Sequence, residues 1–415
     1  MWTRHLKLLF IFLAGSLIIF ANALNDGEGS YTAAQKPEQG KLFVQVGQAR
    51  ADLTPQQQES LAQLQKQPTT VATRLVRVQT QLLTASPYRL KINLGSEFEV
   101  VTTETKPKDE GETWIGRPLT PSDSAVFVVK GTSVTGTIRV GSELYAIRPL
   151  GGGLHAVVLQ DEKKFPPEHP PEFNQLEKEP SKTFEKSLLA DVPDIPRTLR
   201  ILVAYTPRVA AAVQDINATI DLAISETNDG YERSGVKLRA ELAYAYQVNY
   251  QESNSHDTDL ANFRTPNDSI MDEVHALRDT YKADVCVLLI DNGSYCGTAS
   301  AILADESSAF VVVHYTCATG YYSFAHEIGH LQGARHNLEA DPSTTPFAYG
   351  HGYYGLAGKW RTIMSYDCPG GGCKRLPNWS TPSVNYNGSP MGRDDCCNNA
   401  RVLNETAPVI TAFRN

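Results

Sequence analysis

Apolar positions along this chain fall into regimes with different periods. Leu8 to Phe20 form one unbroken apolar run, with Arg4 and Lys7 before it and Ala21-Asn22-Ala23 after it. That is the layout of an export signal cleaved after Ala23. The run is shorter than the roughly 20 residues a membrane-spanning helix needs. Leu24 to about Gln67 is polar and Gln-rich, with helical spacing only around Pro55 to Leu64. From Thr69 to Gln160 the texture becomes short β-branched runs: Val71–Val78, Arg89–Leu94, Phe98–Thr103, Ala125–Val129, Gly136–Val140, Leu144–Ile147 and His155–Leu159. Clusters of Gly, Pro, Ser and Asp separate them, which predicts an antiparallel β region. Asp161 to Pro196 combines seven prolines with many charges and reads as an exposed, extended linker open to processing.

Beyond Arg197 the pattern is α/β. Leu199–Tyr205, Val236–Val248, Asp284–Ile290 and Ala309–Tyr315 are predicted strands. Pro207–Arg233, Asn267–Lys282, Tyr321–Leu331 and a closing Val402–Phe413 are predicted helices. The segmentation is a signal at 1–23, a β-rich pro-region at 24–160, a linker at 161–196 and an α/β domain at 197–415. In fold class this is an α+β two-domain precursor.

Composition narrows the function. With 415 residues, 41% apolar and 20% charged, the chain can build true cores. A net charge of −8 provides no basic field, so nucleic acid and anionic membranes are excluded as partners. The charge is unevenly placed. Arg197 to Ala334 carries 9 basic and 18 acidic residues, whereas Arg335 to Asn415 carries 8 and 6. All seven cysteines lie between Cys286 and Cys397. Export permits disulfides, and the odd number leaves one thiol over. Cys368 and Cys373 are spaced for a local bridge, buried-strand Cys286 is the candidate free thiol, and adjacent Cys396 and Cys397 are expected to reach different partners.

The chemistry concentrates in His326-Glu327-Ile328-Gly329-His330-Leu331-Gln332-Gly333-Ala334-Arg335-His336. Two histidines four apart project from one helix face and can chelate one ion, with Glu327 on the adjoining flank. Gly333 lets the backbone leave the helix at positive φ, so that His336 can return as a third ligand. Three imidazoles with an open fourth position describe a catalytic zinc site rather than a structural one. A chance occurrence of the full pattern has an expectation of roughly 2 × 10⁻⁵, which makes it a strong signal.

This signature resembles that of the metzincin metalloendopeptidases, which place a methionine turn beneath the zinc. Thr362-Ile363-Met364-Ser365-Tyr366 is similar to that turn. The chain looks most like the bacterial peptidyl-Asp metalloendopeptidases, most specifically over Ala283–Cys286, Phe324–Asn337 and Thr362–Cys368. Thr113 to Asp161 is similar to the propeptide of reprolysins. Asn337 departs from the Asp that most reprolysins carry after the third histidine, and Tyr366 matches astacins and serralysins instead.

The resemblance implies an α/β metzincin-type zincin domain with a mixed sheet, an active-site helix and a Met-turn at Met364. It implies one catalytic Zn²⁺ on His326, His330 and His336, Glu327 as general base and Tyr366 as oxyanion donor. It further implies a monomeric enzyme, secreted as a zymogen, that cuts protein or peptide substrates on the amino side of Asp or other acidic residues. Arg361, Lys374, Arg375 and Arg393 are candidates for pairing with the substrate carboxylate. The pro-domain is the expected intramolecular inhibitor or chaperone. Residues 24 to about 196 contain no cysteine to ligate zinc, so if they inhibit, an acidic group, His155, His169 or occlusion of the cleft must serve. The alternative is a secreted metzincin-fold binding or adhesion protein without turnover; retention of Glu327 weighs against it.

Overall fold

The short runs between Thr69 and Gln160 supply eight strands, and Phe43–Gln45 adds an edge strand, of one nine-stranded sheet in which every neighbouring pair is antiparallel. We describe a computed structural model over residues 41–46, 53–84, 89–94, 97–108, 111–118, 123–169 and 195–414. The predicted export signal and its cleavage site lie outside these residues. Across the sheet the strands run Phe43–Gln45, Thr70–Val78, Leu154–Gln160, Glu143–Gly151, Ser133–Val140, Ser124–Lys130, Gly111–Pro118, Glu97–Lys108 and Arg89–Asn93. Trp114, Phe127, Ile138 and Ile147 fill one core on it. Helix Pro55–Lys66 closes a second, smaller core through Leu61.

The second region is a five-stranded mixed sheet. Leu238–Gln247, Arg197–Tyr205, Val285–Ile290 and Phe310–His314 are parallel, and Gly297–Ala299 forms an antiparallel edge. Its central strands are apolar on both faces, as parallel strands covered by helices must be. Val203, Val287 and Val311 pack toward helices Ile216–Arg233 and Ser323–Leu331. Leu202, Leu288 and Val312 pack toward helices His256–Arg264 and Glu273–Thr280. No helix among the described residues is long and apolar enough to cross a membrane.

Several elements differ from the sequence expectation, each for a local reason. The predicted Pro207–Arg233 helix is two helices, Pro207–Ala212 and Ile216–Arg233. Asp215 starts the second by accepting the Ala218 N–H at 2.9 Å. The predicted Asn267–Lys282 helix shrinks to Glu273–Thr280. Asn267, Ser269 and Met271 adopt left-handed φ of 65°, 69° and 57°, and the Asp272 carboxylate gathers the Asn267 and Ser269 N–H groups at 2.6 and 3.0 Å.

Cys368–Cys373 is bridged and Cys286 is a buried free thiol. Cys396 and Cys397 correct the expectation, because they bond to each other. Cys296 and Cys317 pair together, and Cys286 is shut inside the sheet core, so no other thiol is within reach. A tight turn, with Cys397 N–H on the Arg393 carbonyl at 2.9 Å, holds the adjacent pair.

The two sheets meet through Ile115, Val126 and Val128 against Ala218 and Leu222. Polar contacts surround that patch. Thr137 Oγ1 donates to buried Glu226, Arg148 reaches Thr319 Oγ1 at 3.0 Å, and Arg139 reaches the Gly320 carbonyl at 3.0 Å. The linker is the largest surprise. Within residues 161–169 Lys163, Lys164 and Pro167 are exposed, but Phe165, Glu168 and His169 are buried against the second region.

Candidate active site

Helix Ser323–Leu331 is amphipathic, with Phe324, Ala325, Ile328 and Leu331 in the sheet core. That burial orients the opposite face, which carries His326, Glu327 and His330, all fully buried. The helix stops at Gly333, whose φ is 94°. Gly333 N–H bonds to His330 O at 2.8 Å and Ala334 N–H to Gly329 O at 3.0 Å, a glycine C-terminal motif. A side chain at Gly333 would also run into Phe347 at 2.9 Å. Arg335, buried and paired with Asp341 at 2.9 Å, anchors the returning chain. His351 Nδ1 bonds to the His336 carbonyl at 2.8 Å and fixes the backbone of the third histidine.

The Nε2 atoms of His326, His330 and His336 converge at 3.1 to 3.2 Å from one another. A fourth Nε2, from His169, stands 3.0 Å from His326 and 3.1 Å from His330. The Nδ1 atoms of His326, His330 and His169 face the carbonyls of Ile363, Ala334 and Gly297 at 2.8, 2.8 and 3.0 Å. These carbonyls can only accept, so in His330 and His169 the proton sits on Nδ1 and a lone pair on Nε2 points inward; His326 Nδ1 also meets the Arg375 Nη2 donor at 2.5 Å. Burial holds all four imidazoles below their usual pKa, His330 at about 3 and the others well below 6.5. Neutral rings with convergent lone pairs repel one another unless a cation lies between them. A tetrahedral zinc with bonds of 2.0–2.1 Å separates its ligand atoms by about 3.3 Å, so this donor set fits the metal.

Glu327 lies beside this cluster, 3.6 Å from His169 Nε2. It is fully buried, and neither carboxylate oxygen has a hydrogen-bond partner among the described residues. Desolvation, followed by the nearby Glu168, raises its pKa well above the usual 4.5, while Arg375 opposes the rise. The edge strand has to be thin at this point, because a Cβ on Gly297 would fall 2.5 Å from Glu327 Oε1.

Met364 is fully buried in the same core as Ile328, and its Sδ lies against the helix at Gly329. The Tyr366 ring packs on His336 with centroids 4.2 Å apart. Its backbone N–H bonds to Asn337 Oδ1 at 2.9 Å. That contact needs only a side-chain carbonyl oxygen, which Asn supplies as well as Asp.

The four basic candidates separate clearly. Arg375 is fully buried, with Nε on the Ile363 carbonyl at 2.9 Å and Nη1 on the Tyr321 carbonyl at 2.7 Å. Its Nη1 also donates to the Glu168 carboxylate in a buried ion pair. Arg361 lies behind it, reaching Ser365 O at 2.6 Å and Tyr321 OH at 3.0 Å. Lys374 reaches the Gly141 carbonyl of the first sheet at 3.0 Å. Arg393 is exposed and paired with Asp395 at 2.6 Å.

The sequence reading named His169 only as one of several possible latency groups and did not single out Glu168. One signal was available: His169 is the only histidine of the linker and sits in Pro166-Pro167-Glu168-His169-Pro170-Pro171, a context that favours an extended backbone. His155 faces elsewhere, accepting the Val134 N–H at 2.9 Å within the first region.

Comparison with known proteins agrees with this geometry. Residues 196–380 match the Reprolysin_5 model of the metallo-peptidase family M12. The chain is 40% identical over 406 residues to a peptidyl-Asp metalloendopeptidase of Xanthomonas campestris pv. campestris, covering 93% of this chain and 96% of that one. A peptidyl-Asp metalloendopeptidase of Stenotrophomonas maltophilia strain R551-3 is 42% identical over 376 residues, covering 86% and 89%. One from Pseudomonas fragi is 45% identical over 190 residues, which span 46% of this chain and all of that one.

Proposed function

The chain belongs to the peptidyl-Asp metalloendopeptidase family and is a zinc metalloendopeptidase, and from that premise we propose that His326, His330 and His336 hold the zinc, that Glu327 is the general base, and that cleavage falls on the amino side of acidic residues. When bound, the metal supplies Lewis-acid polarisation of the scissile carbonyl and lowers the pKa of a coordinated water toward about 7.

The protein's own groups do the rest. Glu327 accepts a proton from the attacking water and passes it to the departing amine. Its raised pKa makes Glu327 a stronger base toward the water, and the departing amine, far more basic than any carboxylate, takes the proton in the second half. Tyr366, whose phenol burial keeps protonated, donates a hydrogen bond to the carbonyl oxygen as charge develops there. Met364 provides the apolar floor under the imidazoles. The carbonyls of Ile363 and Ala334 orient His326 and His330, and the Ala334 carbonyl fixes the tautomer of His330. Arg375, brought beside the histidines with its guanidinium on a carboxylate, is suited to an acidic side chain of the substrate. The seven cysteines, six of them bridged, suit a protein exported behind residues 1–23 and made as a zymogen that acts on protein or peptide substrates as a monomer.

The observation that carries this reading is Glu327 itself, a buried carboxylate left without a hydrogen-bond partner beside convergent imidazoles. The corresponding experiment uses Glu327→Gln after removal of the pro-region. We expect zinc content to be retained and peptide cleavage lost; near-normal turnover would falsify the assignment.

A further inference from the structure

The linker does more than approach the site. Phe165 is buried among Leu144 of the first sheet and Cys296, Cys317 and Tyr321 of the second region. Its ring stacks on Tyr321 with centroids 4.2 Å apart. From there the backbone runs along the open edge of strand Gly297–Ala299. Cys296 N–H bonds to Pro167 O at 2.8 Å and Gly297 N–H to Glu168 O at 3.1 Å. The segment is held at the start of this edge strand by main-chain hydrogen bonds without forming a strand of its own. The Glu168 side chain then turns inward. Arg375 Nη1 donates to one carboxylate oxygen and Ser323 Oγ to the other at 3.0 Å. One residue later His169 delivers its Nε2 to the other three.

We propose that Glu168–His169 is a substrate-mimicking latch: Glu168 fills, on Arg375 and Ser323, the pocket for the acidic side chain of a substrate, and His169 fills the fourth donor position of the histidine site. This rests on the zinc-peptidase reading above and adds to it both the residue that recognises the acid and the group that blocks turnover. The segment uses the sheet edge and the acid pocket a substrate needs. It escapes hydrolysis because an imidazole stands 3.6 Å from Glu327 Oε1, in the place where a water has to sit between base and metal. A cation and a hydroxyl on one buried carboxylate, with the next side chain at the metal site, give the latch two anchors. Either can be weakened separately.

The test uses the full chain loaded with Co²⁺ for spectroscopy and with Zn²⁺ for transfer to a chelator. His169→Ala is expected to change the visible Co²⁺ spectrum and to speed zinc transfer by about tenfold or more. Added imidazole should restore the spectrum, which separates a vacated ligand position from a misfolded variant. Glu168→Gln leaves the metal donors in place. It is expected to expose residues 161–169 to an added protease and to give a smaller rise in zinc transfer. An unchanged spectrum and unchanged zinc transfer in His169→Ala, or wild-type protease resistance in Glu168→Gln, overturn the latch. The processed wild-type enzyme tells the two readings apart. If it holds zinc and cuts before acidic residues while the variants behave as wild type, the latch alone fails; if it neither holds zinc nor cuts, the peptidase reading fails with it.

Discussion

Two segments send imidazoles to the same point, and they are held in different ways. His326, His330 and His336 come from a helix and its glycine turn, locked by the Ile363 and Ala334 carbonyls, the Arg335–Asp341 pair and His351. Every one of those contacts lies within residues 195–414. His169 comes from a short segment held by two backbone bonds to a sheet edge, the Glu168–Arg375 ion pair with Ser323 beside it, the His169 Nδ1 contact to the Gly297 carbonyl and one stacked ring. The difference teaches which donors are permanent. In the proposed zinc site a ligand built into its own core would stay with the metal, whereas one carried on a segment held from outside could leave as a unit.

Four changes break or sharpen this comparison, in decreasing order of effect. Glu327→Gln touches the permanent set and is expected to lower turnover of the processed enzyme by about 10²- to 10⁴-fold with zinc retained, measured as kcat beside metal content. His169→Ala touches only the removable donor and shows in metal transfer, as described above. Arg375→Gln in the processed enzyme is expected to cost about 10- to 100-fold in kcat/KM for peptides with an acidic residue after the cut, through the lost charge-assisted bond. Activity on matched Asn or Gln peptides should change far less, and an equal loss on both would make Arg375 a scaffold residue rather than a reader of the acid.

The smallest effect concerns the contact between the two sheets. Desolvation raises the pKa of Glu226 from 4.5 to about 7, and Thr137, Gly320, Arg148 and Arg139 pull it back only in part. A group whose pKa is higher in the docked state than in the undocked one favours docking below 4.5, and that contribution is lost as pH rises through about 7. The contact should therefore loosen between pH 5 and 8, read as faster nicking of the linker by an added protease whose own pH response is corrected. Glu226→Gln should flatten the dependence.

What the sequence made legible follows from the range of the forces involved. The three histidines and Glu327 are set by helical period and one glycine turn, so an eleven-residue window contains the geometry. The strand Arg197–Tyr205 and its parallel partners announce themselves as apolar runs. By contrast Gly297–Ala299 is three small residues with no β-branched run, and only the sheet beside it makes it a strand. Glu168 and His169 read as linker because prolines and charges surround them. Their burial depends on Arg375, 207 positions away, and on His326, 157 positions away. The Cys396–Cys397 bond was illegible for a related reason, since it depends on where Cys286, Cys296 and Cys317 are taken by the fold.

The most direct measurement is zinc X-ray absorption on the full chain and on the processed enzyme, which counts the nitrogen donors without depending on turnover. Four imidazoles in the full chain and three plus an oxygen donor after processing is the predicted result. Three imidazoles and an oxygen in both forms would contradict the account.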